Sequence, residues 1–322
     1  MKQNLYLTYI LIFSCMSLFS CADSDSDSNS APEISIAPPT YPVSWAEDLP
    51  RLSSITCYEK TEELNIGYVT FEKTHTFNYQ SNLLQQYAWE ESYSFADVSQ
   101  VNQQTHTLTY LPLATSLPNG ATTQVIVKKA DSYEQLVYLV NDKGQALTCN
   151  YFTGNEADTS APSRVFTFAY DEAGYMTKLT QEISLPSGNL KETILTFDYT
   201  DGLLQEVSLY MSDEKGINSK DGTLVNTFTF GYDDDNGDKV PNDFQLPPTL
   251  YFFELYPLNF HTEAMMGHLL GQQSTLMCNS MRPKGNDNEK WYYHYRTDST
   301  TGQLLSITQS GEIERTVNIE IR

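Results

Sequence analysis

Apolar and polar residues alternate over short stretches of this chain, and residues 164–183 show the pattern most clearly. Three aromatic residues there are separated by single small or polar ones, which places their side chains on one face of a β-strand. These aromatic residues are Phe166, Phe168 and Tyr170. Turn-forming residues follow up to Gly174, and a second strand-like stretch comes after it. Residues 164–183 therefore predict one β-hairpin.

Weakened copies of this hairpin recur at intervals of about 30 residues, the length of two strands and two turns. Each copy is placed by the residue that ends its first strand: Tyr79, Tyr110, Val140, Tyr170, Tyr199, Tyr232 and Tyr295. The last interval is about twice as long, so one unit there is replaced or modified. Apolar residues also fall two and five positions after the turn residue, as Leu204 and Val207 do after Gly202. Asn82 takes the place of the glycine in the first copy.

A single hairpin cannot bury its apolar face, so the units must pack against one another. The predicted fold class is all-β, an antiparallel meander of repeated hairpins in one long curled sheet or a barrel-like sheet. One short helix is predicted at residues 262–270, inside the long interval. We expect Thr262 to cap this helix, Gly271 to end it, and the helix to lie as a plug or lid against the sheet. Its apolar stripe either packs in the core or forms a binding groove, and comprises Met265, Met266, Leu269 and Leu270.

The N-terminal residues predict export and lipid attachment. Residues 1–20 combine an early lysine with a long apolar run and read as a lipoprotein signal peptide. Residues 18–21 resemble a bacterial lipobox, which makes Cys21 the expected lipidation site; an ordinary signal peptide cleaved nearby is the alternative. Residues 21–44 are acidic and then rich in proline, and predict a disordered tether. Residues 45–322 are expected to form a single β-repeat domain.

The overall charge narrows the possible partners. A formal net charge of −22 opposes binding to nucleic acid and direct adsorption on anionic lipid headgroups. Contact with a membrane is therefore expected through the N-terminal lipid. The cysteines that follow Cys21 are Cys57, Cys149 and Cys278, so at most one disulfide can form.

An aspartate-rich stretch at residues 232–243 suggests a calcium-binding loop. Its carboxylate and amide residues stand at alternate positions, as such a loop requires: Asp234, Asn236 and Asp238. However, Lys239 occupies the position where the sharp turn needs glycine, and the stretch also fits a hairpin tip with extra acidic residues. We therefore expect no cofactor, with calcium as the alternative.

The histidines give no complete metal site. His75 and His106 each lie four residues before a repeat tyrosine, and therefore share its face of the strand. They could form a metal-binding pair, but the sequence places no third ligand, and packing against neighbouring strands is the favoured interpretation. His261 and His268 flank or occupy the predicted helix without the spacing of a zinc-binding helix, so no role is assigned to them.

Aromatic residues offer a different kind of site, because the chain contains 22 tyrosines and 15 phenylalanines. An aromatic ladder in register along the sheet would form the buried core, whereas exposed members could stack on a sugar ring. The ligand-binding candidates are Trp89, Trp291 and Tyr292, and Tyr87 and Tyr93 are also expected to be exposed.

The repeat units also carry a family resemblance. The Phe-x-Phe-x-Tyr-Asp-turn-Gly units at Phe166 and Phe228, with a looser copy at Leu195, resemble the Tyr-Asp hairpin repeats of Rhs-like proteins. The mature chain is similar to a Bacteroidetes surface-lipoprotein family of unknown function that is built from such hairpins. The acidic residues after Cys21 resemble the surface-export signal of Bacteroidetes lipoproteins, with a merely solvated spacer as the alternative. These resemblances imply an outer-membrane lipoprotein exposed on the cell surface.

Three functional hypotheses follow. The leading one is a non-enzymatic, lipid-anchored binding module whose ligand is a glycan or another envelope protein. The second is a structural or accessory component of an outer-membrane assembly. The third is a hydrolase whose acidic residues are scattered along the sequence; the sequence contains none of the nucleophile or phosphate-binding motifs that would single out an active site.

Overall fold

The computed structural model describes residues 52–63, 67–95, 98–154, 161–185, 188–212, 222–232, 239–246, 257–285, 290–310 and 314–321. Cys21, the signal peptide, the tether and the candidate calcium ligands Asp234, Asn236 and Asp238 lie outside these residues. Sixteen strands occur in the described residues: β1 (Leu52–Glu63), β2 (Gly67–Gln80), β3 (Leu83–Phe95), β4 (Val98–Pro112), β5 (Ala121–Lys129), β6 (Gln135–Asn141), β7 (Ala146–Phe152), β8 (Arg164–Tyr170), β9 (Met176–Leu185), β10 (Gly188–Thr200), β11 (Leu203–Met211), β12 (Thr223–Gly231), β13 (Ser280–Pro283), β14 (Trp291–Thr297), β15 (Leu304–Ser310) and β16 (Glu314–Ile321).

These strands form one antiparallel meander that closes into a barrel. Every strand pairs with its neighbours in the sequence, and β1 also pairs with β16. Ile55 on β1 stands opposite His75 on one side and Ile319 on the other, so the ladder continues across the point of closure. The all-β meander predicted from the repeat is confirmed, and closure removes both exposed sheet edges.

A β-bulge follows the turn in five of the hairpins, β2–β3, β6–β7, β8–β9, β10–β11 and β14–β15, and it explains the spacing of the apolar residues in the repeat. At the turn between β10 and β11, Asp201 and Gly202 have φ values of 51° and 77°, the left-handed conformation that tight hairpin turns require. The register then shifts by one residue, which places Leu204 opposite Tyr199. Residues two and five positions after the turn therefore face the same side, although an unbroken strand would place them on opposite sides.

The barrel interior is an apolar core built from these repeat positions. The residues two and five positions after each turn are all buried: Leu84, Tyr87, Ala146, Cys149, Met176, Leu179, Leu204, Val207, Leu304 and Ile307. Aromatic residues of the preceding strands join them, including Phe77, Phe166, Phe168, Phe197 and Phe230. Tyr87, which was expected to be exposed, is therefore a core residue, because the bulge turns it inward. The three described cysteines, Cys57, Cys149 and Cys278, are buried and form no disulfide with one another.

The repeat tyrosines connect successive units through their hydroxyl groups. The Tyr110 hydroxyl donates to the carbonyl oxygen of Leu84 at 3.1 Å. The Tyr170 hydroxyl donates to the carbonyl of Ala146 at 2.8 Å. In the same way, the Tyr232 hydroxyl donates to the carbonyl of Leu204 at 2.9 Å. Each acceptor lies two residues after the turn residue of an earlier hairpin. At these three strand ends the tyrosine hydroxyl makes a bond that phenylalanine could not make, although phenylalanine would also fill the core.

We expect Tyr110→Phe and Tyr170→Phe each to lower the free energy of unfolding by about 1 kcal/mol, the net contribution of one hydrogen bond. The ring stays in place in both variants, so the change reports the hydroxyl alone. Tyr133→Phe is the matched control, because Tyr133 is 62% exposed. Denaturant titration measures all three variants, and equal stability of the variants and the control would contradict a linking role for the repeat tyrosines.

A segment between β12 and β13 fills the barrel interior beside the hairpin turns. This plug segment, residues 258–279, begins with a 3₁₀ turn at Leu258–His261 that leads into a short helix, α1 (Thr262–Met266). Its apolar side chains are buried in the same core as the strands: Leu258, Met265, Met266, Leu269, Leu270 and Met277. The predicted plug is therefore present, and its methionines are core residues. Within the described part of the chain, none of the helices has the length and apolar composition needed to cross a lipid bilayer.

The helix is shorter than predicted, and its ends differ. Residues 262–270 were expected to be helical, but α1 ends at Met266, with Gly267 as its C-terminal cap at φ −84°. Thr262 belongs to the first turn and does not cap it, since the N-terminal cap is His261. The chain leaves the helix because the carbonyl of Leu269 accepts a hydrogen bond from the amide of Ala146 at 2.7 Å. Contact with the sheet therefore overrides local helix propensity.

The plug segment crosses the ends of hairpins from several parts of the barrel. The Tyr79 hydroxyl donates to the carbonyl of Met266 at 3.2 Å. Farther along, the amide of Leu204 donates to Ser274 Oγ at 2.9 Å, and the Tyr295 hydroxyl donates to the carbonyl of Cys278. The plug is thus fixed by hydrogen bonds as well as by apolar packing.

Two rows of outward residues on the barrel are polar. One row of directly opposed outward residues crosses five consecutive strands, β2 to β6, and comprises Asn78, Gln86, Thr107, Lys128 and Gln135. A second row lies farther around the sheet and comprises Lys178, Thr196, Ser208 and Thr227. In these two rows the outward side chains are polar, whereas the outward band of a transmembrane barrel is apolar. Side chains of this kind at mid-strand positions are suited to contact with water.

Candidate functional site

Charged residues occupy part of the inner face beyond the apolar core. Five of them lie on strands β2, β3, β5, β8 and β10, and the sixth lies in the turn between β5 and β6. Most of them carry a side chain that is partly accessible to solvent. We call these residues and the aromatic and amide groups beside them the charged inner band: Lys73, Trp89, Glu91, Lys129, Glu134, Tyr151, Arg164, Gln181, Glu192 and Phe260. It contains three cations and three carboxylates arranged as ion pairs.

The first ion pair joins β2 and β3. Lys73 and Glu91 stand directly opposite each other across the ladder, with Lys73 Nζ 3.3 Å from Glu91 Oε2. The same ammonium group lies 5.0 Å from the ring centre of Trp89, a cation–π distance. Alternation from the buried His75 places both Lys73 and Trp89 on the inner face. An aromatic ring and a matched pair of charges therefore meet at one point of the band.

The second ion pair lies between β5 and β6. Lys129 Nζ is 3.2 Å from Glu134 Oε2. Tyr151 on β7 lies beside this pair. Burial, followed by the charge of the nearby Glu134 carboxylate, raises the pKa of the Tyr151 phenol to about 12. The phenol is therefore protonated at neutral pH and remains a hydrogen-bond donor.

The third ion pair is centred on Arg164. Its guanidinium carbon lies 6.0 Å from the ring centre of Tyr151 and 5.4 Å from that of Phe260, which belongs to the plug segment. Arg164 Nε is 3.9 Å from Glu192 Oε2, and Gln181 Nε2 donates to the same carboxylate oxygen. The plug thus supplies one aromatic wall of this part of the band, and β7 supplies another.

Three histidines lie beneath the charged inner band. His75 Nδ1 is 2.7 Å from the Tyr87 hydroxyl, and His261 Nδ1 is 2.8 Å from the Tyr138 hydroxyl. Burial lowers the pKa of His75 and of His261 to about 3, and the charge of Lys73 contributes to the shift of His75. Both imidazoles are therefore neutral at physiological pH.

The third histidine, His106, is hydrogen-bonded through Nδ1 to a carboxylate oxygen of Glu263 on α1. Burial, followed by the charge of Lys129, lowers the pKa of His106 to about 4. Among the described residues no group of three or more His, Cys, Asp or Glu side chains is placed to hold a metal ion. His75 and His106 accordingly make contacts with core residues, as the favoured interpretation of the sequence proposed.

The ligand-binding candidates from the sequence do not share one surface. Trp89 and Trp291 are partly buried and pack against the inner core. Tyr292 follows Trp291 on β14, so alternation places it on the outer face. It is 46% exposed, and Lys290 Nζ lies 4.5 Å from its ring centre. Of the three, Trp89 alone belongs to the charged inner band.

Sequence reasoning missed the charged members of this band. Arg164 lies two residues before the buried Phe166, and Lys73 lies two residues before the buried His75. A cation at an inward position of the alternation was therefore visible in the sequence. Its partners were not, because Glu91 and Glu192 are brought to these cations by cross-strand pairing and by a bulge near the start of β10.

Comparisons with known proteins add information about the fold. No protein-family model matches the chain, and no curated protein matches it in sequence. A solved structure of a porin-like protein from Bacteroides uniformis is 22% identical and superposes with a TM-score of 0.62, over 84% of this chain and 98% of that one. A porin-like protein from Bacteroides vulgatus is 10% identical, with a TM-score of 0.49 over 85% of this chain and 99% of that one. The first likeness supports the barrel fold.

Proposed function

We propose that this chain is a non-enzymatic, lipid-anchored binding module that binds a glycan through the charged inner band. The observation that carries the proposal is the arrangement of the three ion pairs. Each cation on the inner face has a carboxylate partner, and two of the cations also lie against aromatic rings.

The chemistry of the band selects an uncharged ligand rich in hydroxyl groups. Paired charges cancel at a distance but still offer strong local donors and acceptors, which hydroxyl groups can use in both directions. Aromatic rings such as Trp89 provide a flat apolar surface for the carbon face of a sugar ring. The overall charge of −22 further disfavours polyanionic ligands.

An open diffusion pore fits this barrel poorly, although a protein of similar fold is named porin-like. The plug segment fills the interior beside the hairpin turns with buried side chains such as Met265 and Leu269. The outward rows are polar, with Thr107 and Lys128 directly opposed on β4 and β5. We therefore propose a barrel surrounded by water and held at the membrane by a lipid.

The lipid and its location rest on the N-terminal sequence. Cys21 at the end of a lipobox-like stretch is the proposed attachment site, and the acidic residues after it support export to the cell surface. The Bacteroides source of the protein of similar fold is consistent with the proposed membership of a Bacteroidetes surface-lipoprotein family. Labelling of the whole chain in cells by a membrane-impermeant reagent tests the location.

A hydrolase is the main competing function, because the barrel gathers several glutamates on its inner face. Glu91, Glu134 and Glu192 each lie beside a cation, and Glu263 is hydrogen-bonded to His106. The oxygens of each ion-paired carboxylate are engaged by a cation, whereas a general acid must be free to donate a proton to the substrate. These contacts favour binding over acid catalysis.

Glycan-array binding by the full mature chain tests the proposal. We expect selective binding of neutral glycans, and Lys73→Met to weaken it about tenfold, because a charge-assisted contact contributes roughly 1.5–3 kcal/mol. Lys284→Met is the matched control, since Lys284 forms an exposed ion pair with Glu206 away from the band.

Each outcome of the array distinguishes the hypotheses. Glycan binding that Lys73→Met leaves unchanged would place the site elsewhere on the barrel. Absence of binding to every glycan would overturn the proposed function, and stable co-purification of one envelope protein in that case would favour the structural role. Release of shortened glycans would establish a hydrolase.

A further inference from the structure

Two buried polar atoms beside the third ion pair lack hydrogen-bond partners. They are Arg164 Nε and Thr193 Oγ1, and neither makes a hydrogen bond to the part of the chain that the structure describes. Thr193 is 1% exposed. An unsatisfied buried donor or acceptor costs about 1–3 kcal/mol, so a group that satisfies both atoms would bind favourably there.

Both atoms lie on the inner face, on strands β8 and β10, which pair with the two sides of β9. Phe166 on β8 stands opposite Gln181 on β9, and Gln181 stands opposite Thr193 on β10. Phe166 packs edge-on against His261 of the plug at 4.5 Å between ring centres, which identifies this face as the interior. Arg164 is two residues from Phe166 on the same strand and shares its face.

A β-bulge brings the acceptor to the same place. The register between β9 and β10 shifts between Lys191 and Thr193, so that Glu192 and Thr193 are both near Gln181. The Glu192 carboxylate receives the hydrogen bond from Gln181 Nε2 and lies beside Arg164. A cation, a carboxylate and a hydroxyl group therefore converge on one part of the band.

This ion pair is more open than the other two. Lys73 and Glu91 approach to 3.3 Å, and Lys129 and Glu134 approach to 3.2 Å, both within hydrogen-bonding range. Arg164 Nε and Glu192 Oε2 are 3.9 Å apart, beyond that range. A small hydroxyl group can therefore accept from the guanidinium and donate to the carboxylate without breaking an existing bond between them.

We infer that Arg164, Glu192 and Thr193 form the primary subsite of the band and bind a vicinal diol of a sugar ring. One hydroxyl accepts from Arg164 Nε–H and donates to Glu192, and its neighbour exchanges hydrogen bonds with Thr193 Oγ1. The rings of Tyr151 and Phe260 flank the guanidinium and limit its movement. This inference rests on the proposed glycan-binding function and specifies the group that is recognised.

The charges explain why a diol is favoured over an ionic group. A carboxylate or phosphate would be attracted by Arg164 and repelled by Glu192, and an ammonium group would experience the reverse. A diol is both donor and acceptor at each oxygen, so it satisfies the cation, the anion and the threonine together.

The experiment uses the full mature chain and compares two conservative substitutions in the subsite with Trp89→Ala at the other end of the band. Arg164→Lys keeps the charge but removes the Nε donor, and Thr193→Val keeps the shape but removes the hydroxyl. The probes are methyl hexosides and their monodeoxy analogues, titrated by calorimetry. We expect each variant to weaken binding about tenfold, the loss of one or two hydrogen bonds to a charged or buried group.

Deoxy analogues supply a readout that does not depend on folding of a variant. The wild-type chain should lose affinity for analogues that lack either hydroxyl of the recognised pair, and the Arg164→Lys chain should no longer distinguish them. Binding that is unaffected by both variants but lost in Trp89→Ala would overturn this subsite and retain the glycan-binding function. Absence of binding to every hexoside and every glycan would overturn both.

Discussion

Lowering the pH from 7 to 5 is expected to reduce the free energy of unfolding by about 4 kcal/mol through His75 and His261 together, at about 2 kcal/mol each. Burial lowers the pKa of each imidazole to about 3 in the folded chain, against about 6.5 when exposed. The unfolded chain therefore binds these two protons as the pH falls through 6.5, while the folded chain does not. The contribution is fully present above pH 6.5 and decreases steadily below it.

The surroundings of both histidines support this direction. His75 is hydrogen-bonded to Tyr87 and is close enough to Lys73 for the cation to disfavour a second positive charge. His261 is surrounded by the rings of Phe166, Phe168 and Tyr138. His106 is not counted here, because it is hydrogen-bonded to the carboxylate of Glu263.

Denaturant titrations at several pH values measure this dependence. His261→Gln should remove about half of the slope between pH 7 and pH 5, because one of the two lowered pKa values is lost. His294→Gln is the matched control, since His294 is exposed on β14. Constant stability of the wild-type chain over this range would contradict the proposal that the two histidines are buried in the neutral form. An unchanged pH dependence in the His261→Gln chain would contradict it as well.

Gly271→Ala is expected to lower the free energy of unfolding by about 3 kcal/mol or more, by combining backbone strain with steric overlap. Gly271 has φ +77°, and a Cβ atom there would meet the carbonyl oxygen of Gly174 and lie 2.7 Å from Tyr170 Cε1. Backbone cannot move aside as a flexible side chain can. The variant should therefore displace the plug segment from the hairpin between β8 and β9.

Gly302→Ala separates the two causes. Gly302 has a similar φ of +73°, but a Cβ atom there would have no neighbour within 4 Å. Its loss of stability should be about 1–2 kcal/mol, the cost of a left-handed conformation alone. Equal losses in Gly271→Ala and Gly302→Ala would show that contact between the plug and the hairpin adds nothing.

The repeat made much of the fold predictable, because turn chemistry and alternation are local. Residues two and five positions after the turn, such as Leu204 and Val207, were recognised from the sequence as recurring apolar positions. The β-bulge that places both on one face accounts for their odd spacing. Closure was left undecided. The pairing of β1 with β16 joins the two ends of the described chain, and no local pattern records which distant strands meet.

The candidate site was less predictable for a related reason. Trp89 was identified by its aromatic side chain. Its partner Lys73 lies on the preceding strand, and the contact between them depends on the register in which β2 pairs with β3. The Arg164 subsite combines β8, β10 and the plug segment, so three separate parts of the chain must be placed before it exists. The helix was predicted to be too long because Gly271 was taken as the residue that ends it. Gly271 does have a left-handed φ, but the helix ends earlier, at Met266.

The plug segment also constrains how quickly this chain can fold. Tyr79 and Met266 are hydrogen-bonded although 187 residues separate them, and similar contacts connect the plug to hairpins that precede it in the chain. Native contacts of such long range make folding slow. During synthesis, every hairpin up to β12 emerges before the segment that covers its apolar face, so the growing chain exposes aromatic side chains and unpaired strand edges until the plug arrives. A barrel whose core is supplied late must therefore be protected from aggregation while it is being made.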